Sequence, residues 1–343
     1  MLDKLRQNSS SRLGQKLWFL VKLSVSLVLV VYLLSIVDWE QALHTISQAN
    51  KLLLAIGPLF WLASLVMGAA RWQVVLAGNG VDFSIRQAYS GYLLGSFYNI
   101  FLPGVVGGDA VRVGLCVSET RCEVGTATAS VLLERVSGVA ALLSFFFFVS
   151  LFYPEIATSL LAIESTEPLM LLLILVFLLG MVVAVGYRIW WDRRGIRGTG
   201  RVWAFLQSAS QTFQGVRGKT LGSMLLLSIL FQAIRILGMF VLSKAIGLSL
   251  PLRAFFAVVP LVYLATLLPI SLGGLGVREG ALVFLLARLG VPTSSAITLS
   301  FLIYLNQVFL GMLGGSLQLA RLLSSRRRVE PAESVDTVRL SNH

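Results

Sequence analysis

The stretch Asn99-Ile100-Phe101-Leu102-Pro103-Gly104-Val105-Val106-Gly107-Gly108-Asp109-Ala110-Val111-Arg112 breaks an apolar run with a proline and three glycines, then adds an acid and an arginine. Backbone of this kind is poor helix. In hydrocarbon, a broken helix is tolerated only where protein or a water-lined cavity satisfies the freed backbone groups. A second copy reads Leu268-Pro269-Ile270-Ser271-Leu272-Gly273-Gly274-Leu275-Gly276-Val277-Arg278-Glu279. In both, a Leu-Pro is followed by a Gly-Gly pair at the fourth and fifth positions after the proline and by an arginine at the ninth.

The chain around this pair is apolar. Of 343 residues, 56% are hydrophobic and 13% charged, and the mean hydropathy is +0.83. A soluble domain is nearer half apolar and a quarter charged, so the composition predicts a polytopic, all-α integral membrane protein. The net charge of +12 reads first as topology, because Lys and Arg gather in cytoplasmic loops, and second as attraction to anionic headgroups. Nucleic-acid binding is disfavoured, since the basic residues sit in loops and tails beside spans. Cys116 and Cys122 have no metal-ligand partners at suitable spacing, and His44 and His343 are the only histidines. No zinc site, no other cofactor and no structural disulfide are expected. No small-residue cleavage site follows the first apolar run, so it is read as a span and not a signal peptide.

Six full spans are expected: 17–37, 52–76, 124–152, 168–187, 220–247 and 293–320. Residues 87–117 and 252–290 form two broken elements, either re-entrant hairpins or pairs of tight spans. Residues 1–16 form an N-terminal segment carrying Lys4, Arg6, Arg12 and Lys16, and the loop 188–219 is rich in arginine. Both, with Arg321 and Arg326–Arg328, predict cytoplasmic termini. Residues 17–322 read as one transmembrane domain, with repeat halves near 17–152 and 168–320. The polar tail 323–343 is expected to be disordered. Within the basic loop, Val202 to Phe213 has the pattern of an interfacial amphipathic helix.

Aligning the motifs pairs Pro103 with Pro269 and Arg112 with Arg278, and their flanking spans then correspond. Three spans separate the motifs, so the second enters from the opposite face. That is an inverted repeat, the plan of many secondary transporters, with the site near the midplane between the halves.

The candidate site residues follow from this plan. Gly107, Gly108, Gly273 and Gly274 permit close backbone approach and free N–H groups near a helix start, where phosphate binds. The same glycines also serve tight helix packing. Arg112 and Arg278 are placed to contact a phosphodiester, or else to snorkel to the interface. Asp109 and Glu279 flank them as salt-bridge partners. Glu134 and Arg135 sit inside a span, where neighbours on a helix do not face each other. Each therefore needs a partner elsewhere, such as Arg71 or Arg112 for Glu134. A structural lock and a direct substrate or proton role are both open. Asn99, Arg235 and Gln232 complete the expected lining. No nucleotide fingerprint, P-loop or nucleophile–histidine arrangement is present, so no enzyme activity is expected.

At these residues the sequence resembles the lysylphosphatidylglycerol synthase transmembrane-region family, also called the flippase-like domain. The likeness rests on Gly95-Ser96-Phe97-Tyr98-Asn99, Leu102-Pro103-Gly104, Gly107-Gly108-Asp109-Ala110-Val111-Arg112, Glu134-Arg135-Val136, and Pro269 with Gly273-Gly274-Leu275-Gly276-Val277-Arg278-Glu279. It covers roughly residues 15–322. The family includes the membrane half of the bacterial multiple-peptide-resistance factor, which moves aminoacylated phosphatidylglycerol between leaflets. The resemblance implies a bacterial cell-membrane protein that translocates an anionic or phosphate-bearing lipid. With no soluble aminoacyl-transferase domain in these residues, a stand-alone translocator is expected, not a synthase. The other reading is an accessory subunit for a glycosyltransferase or another lipid-modifying enzyme.

Overall fold

The computed structural model describes residues 39–101, 107–161, 200–266 and 276–327, together with Ser24. Every regular element among them is an α-helix: α1 (Trp39–Ser47), α2 (Lys51–Ala77), α3 (Ile85–Phe101), α4 (Gly107–Thr120), α5 (Val124–Phe152), α6 (Pro154–Leu161), α7 (Arg201–Gly215), α8 (Gly218–Ala245), α9 (Leu252–Thr266), α10 (Val277–Arg288) and α11 (Thr293–Arg327). The expected spans 17–37 and 168–187, the breaks at Pro103 and Pro269, and the tail beyond 327 lie outside the described residues.

Four helices, α2, α5, α8 and most of α11, are long and apolar enough to cross a membrane. Their outward faces carry large apolar side chains such as Leu59, Val136, Phe148, Phe152, Leu226 and Met312. A soluble monomer does not leave so much contiguous apolar surface uncovered. The interior, by contrast, holds Arg71, Arg112, Glu134, Ser228 and Gln232. Apolar outside and polar at the centre is the arrangement hydrocarbon demands, and the protein is a multi-pass membrane protein.

α2 starts where Asn50 caps it, its side-chain oxygen accepting from the N–H groups of Leu52 at 3.0 Å and Leu53 at 3.2 Å. It runs antiparallel to α8. Gly57 faces Leu242, Trp61 covers Gly238, Arg71 reaches Ser228, and Gly78 lies against Thr220. The missing Cβ atoms let the two helices approach closely. At one end the Asn50 N–H donates to the Ala245 carbonyl at 2.8 Å.

α3 and α4 form an antiparallel helical hairpin. Gly95 touches Gly108, Gly91 meets Leu115, and Asn99 Oδ1 accepts from the Gly108 N–H at 2.8 Å. α9 and α10 pack as the second pair. With 17 and 14 residues in the first pair, the limbs reach only about 26 and 21 Å at 1.5 Å per residue, short of a core of about 30 Å.

The packing has an exchange pattern. α2 packs on α8; α3 packs on α11 while α9 packs on α5; α1 packs on α11 while α7 packs on α5. α3 meets α11 through Leu93 on Gly314 and Phe97 on Gly315. α9 meets α5 through Phe256 on Phe145, with ring centroids 4.9 Å apart. The largest apolar core joins Trp61 and Leu242 to Phe255, Leu286, Leu299 and Ile303, and a second one gathers Trp72, Phe83, Cys116 and Ala127.

Candidate functional site

The centre of the site is Glu134, 2% exposed on α5. It lies ten residues into the helix, about 15 Å from its start. Its Oε1 accepts from the Tyr92 hydroxyl at 2.6 Å and from Arg71 Nε at 3.3 Å, and its Oε2 accepts from Arg112. The two arginines come from α2 and α4 and the tyrosine from α3, so this carboxylate joins the first hairpin to two long helices. A buried carboxylate is stable only when its lone pairs are so met.

Arg71 is held at its other corners by the Ser228 hydroxyl of α8 at 3.2 Å and by Tyr92 Oη at 3.4 Å. Ser228 in turn lies 2.9 Å from Ser137 Oγ. Gln232 donates to the Gly138 carbonyl at 3.3 Å. Arg112 is stacked over the rings of Trp72, at 4.4 Å, and Tyr92, at 3.9 Å, where the ring faces attract the cation. Asp109, one turn before Arg112, lies 3.6 Å from it and accepts from Arg135 Nε at 2.6 Å. Glu134 and Arg135 thus find separate partners, as two neighbours on one helix must.

The guanidinium of Arg235 continues the cluster from α8. Arg71 and Arg235 both lie against the Phe231 ring, at 4.9 and 5.5 Å from its centroid. Among the described residues, four arginines of this cluster therefore stand against two carboxylates, Glu134 and Asp109, an excess of two positive charges.

Of the residues expected from sequence, Arg71, Asp109, Arg112, Glu134 and Arg135 form one ion network, and Arg235 adjoins it. Asn99 and Gly108 hold the hairpin together beside it, and Gly107 opens α4. Arg278 and Glu279 do not reach the network. Arg278 Nε donates to Glu279 at 3.0 Å, and Glu279 Oε2 accepts from the Gly276 N–H at 2.7 Å, closing the first turn of α10. Gly273 and Gly274 lie outside the described residues.

Tyr92, Trp72, Phe231 and Ser228 enter the site without having been singled out. For Tyr92 a signal exists: Tyr92, Gly95 and Asn99 share one helical face at the i, i+3, i+7 spacing, and that face turns to α4. For Ser228 no local spacing gives a sign.

The family model described as the lysylphosphatidylglycerol synthase TM region matches residues 19–315. No curated protein matches the sequence. The match takes in both hairpins, all four long helices up to the last turns of α11, and every residue of the ion network. The chain belongs to the lysylphosphatidylglycerol synthase transmembrane-region family, as a multi-pass membrane protein of lipid-related function.

Proposed function

We propose that the protein is a translocator, without enzyme activity of its own, that moves an anionic, phosphate-bearing lipid between the leaflets of a bacterial cell membrane. The observation that carries this reading is the surplus of positive charge around Glu134. Ionised groups are costly in hydrocarbon, and a net cationic centre there is stabilised by an anion that comes and goes. A lipid headgroup needs such a path because its charge cannot be dissolved in acyl chains, whereas its own tails stay in lipid throughout.

In this reading the network both preorganises and competes. Glu134 keeps Arg71 and Arg112 fixed and charged while no lipid is bound. A phosphate entering beside them offers the same acceptor geometry as the carboxylate, and guanidinium groups bind either bidentately. The two halves act as an inverted repeat, supported by the antiparallel crossing of α2 on α8 and by the exchange pattern of the other helices. Rocking one half against the other then opens the centre to each leaflet in turn. Both termini are cytoplasmic in this arrangement.

The test is translocation in vesicles holding the purified protein. Fluorescent phosphatidylglycerol should become accessible to an impermeant quencher faster than in empty vesicles, and fluorescent phosphatidylcholine should lag at least tenfold. Equal rates for the two lipids, or no rate above empty vesicles, would sink the reading.

A further inference from the structure

We propose that Arg235 and Tyr263 form the oxyanion subsite that first takes the phosphoryl group, while Arg71 and Arg112 are still held by Glu134. The inference rests on the translocation reading and assigns the contact within it.

The two ends of the cluster differ in how their charges are met. Arg71 and Arg112 each have a carboxylate partner and stacked aromatic rings. Arg235 has no carboxylate within ion-pair distance among the described residues, and its guanidinium rests only on the rings of Phe231, at 5.5 Å, and Tyr263, at 5.2 Å. Its buried Nε has no hydrogen-bond partner, which is also true of Arg112 Nε, but only beside Arg235 does a second unmet donor, the buried hydroxyl of Tyr263, lie on the adjoining ring. Two unmet donors, on side chains from α8 and α9 that lie against each other, therefore sit beside an unneutralised charge. The offset that aligns Pro103 with Pro269 aligns Glu134 with Ser300. The second half thus has a serine, itself buried, where the first half has its acid.

An unmet buried donor or charge is costly, and a ligand that meets it accounts for its being kept. The ligand that meets this pair must be anionic and supply acceptors only. A phosphoryl group does so: two oxygens suit the guanidinium fork and one of them or a third accepts from the tyrosine hydroxyl. A zwitterionic headgroup also carries a phosphate, but it brings an ammonium that four neighbouring arginines repel. The ring faces of Phe231 and Tyr263 keep water from the contact and so strengthen it. Both a lipid phosphate and free inorganic phosphate have this chemistry.

The experiment is equilibrium binding to the full-length protein in detergent, with short-chain phosphatidylglycerol, short-chain phosphatidylcholine and inorganic phosphate as separate probes. Wild type should prefer phosphatidylglycerol to phosphatidylcholine at least tenfold. Arg235→Gln should weaken phosphatidylglycerol binding at least tenfold, Arg235→Lys about threefold, since charge remains but the fork is lost, and Tyr263→Phe severalfold. Arg253→Gln, which removes a charge stacked on Tyr153 instead, should bind like wild type. Unfolding midpoints check that each variant is folded; if Arg235→Gln is not, Arg235→Lys and Tyr263→Phe decide. Saturable inorganic phosphate binding without a lipid preference, lost in Arg235→Gln, would keep the oxyanion site and assign it to the free ion. Binding by wild type that survives all three substitutions would overturn the subsite and leave translocation standing. Absence of phosphatidylglycerol binding by wild type would remove both.

Discussion

Glu134 shows how one side chain can set the order of a membrane interior. Its two oxygens gather three donors from three helices. Replacing it with Gln keeps the volume but leaves Arg71 and Arg112 facing an amide. Removing one partner of a buried ion pair costs about 3–5 kcal/mol, so Glu134→Gln should unfold at markedly lower denaturant in a reversible detergent titration. Tyr92→Phe removes one interhelical hydrogen bond, worth about 1–2 kcal/mol in membranes, and should shift the same midpoint less. The reverse order would mean that the tyrosine, and not the acid, holds the cluster. The pairing of Glu134 with Arg71 or Arg112 was legible in sequence, because a carboxylate inside a span must find a cation and few were near. That one carboxylate serves both arginines was not, since this depends on how the α3–α4 hairpin seats Arg112 between Trp72 and Tyr92. Tyr263 was illegible for a related reason: an aromatic in an apolar helix has no pattern that separates a donor from packing.

The hairpins carry the same lesson in their backbones. Gly108 is where α4 touches α3, and a Cβ there would stand 2.5 Å from the Gly95 carbonyl oxygen and 2.6 Å from the Asn99 side chain. Neither the backbone oxygen nor the hydrogen-bonded amide can yield without moving the limb. Gly108→Val should therefore cost about 1–3 kcal/mol, the usual range for overpacking. It should also shift Arg112 one turn further along. Gly114, whose Cβ would meet nothing within 4 Å, is the matched control, and Gly114→Val should leave stability near wild type. Equal losses at both positions would show that helix propensity alone is being measured. The short limbs on either side of Pro103 and Pro269 follow from composition, since proline and paired glycines end helices; the prolines themselves lie outside the described residues. The short helices α1 and α6 lie between spans, where length and hydropathy give no element. In α6 the clue is Pro154 at the first helical position, where a missing N–H costs nothing.

The antiparallel crossing of α2 and α8 has a consequence for the whole chain that length and hydropathy cannot supply. Gly215 and Thr220 lie beside Asn79 and Gly78 at one end, while Asn50 bonds to Ala245 at the other. The segments 78–84 and 216–217 therefore share one side of the membrane, and the segment 246–251 lies on the other. In the proposed topology the arginine-rich approach to Arg217 faces the cytoplasm, and the first side with it. We accordingly expect Asp82→Cys to be labelled by an impermeant maleimide only from the cytoplasmic side, and Ser249→Cys only from outside. Both are made in a background where Cys116 and Cys122 are replaced by serine. The inverted arrangement needs this opposition, because Asp82 follows α2 as Ser249 follows α8. Labelling of both from one side would make the repeat parallel, with its axis along the membrane normal. The headgroup centre would then have no symmetric route to the second leaflet, and the translocation mechanism would fail with the topology, whatever Arg235 binds.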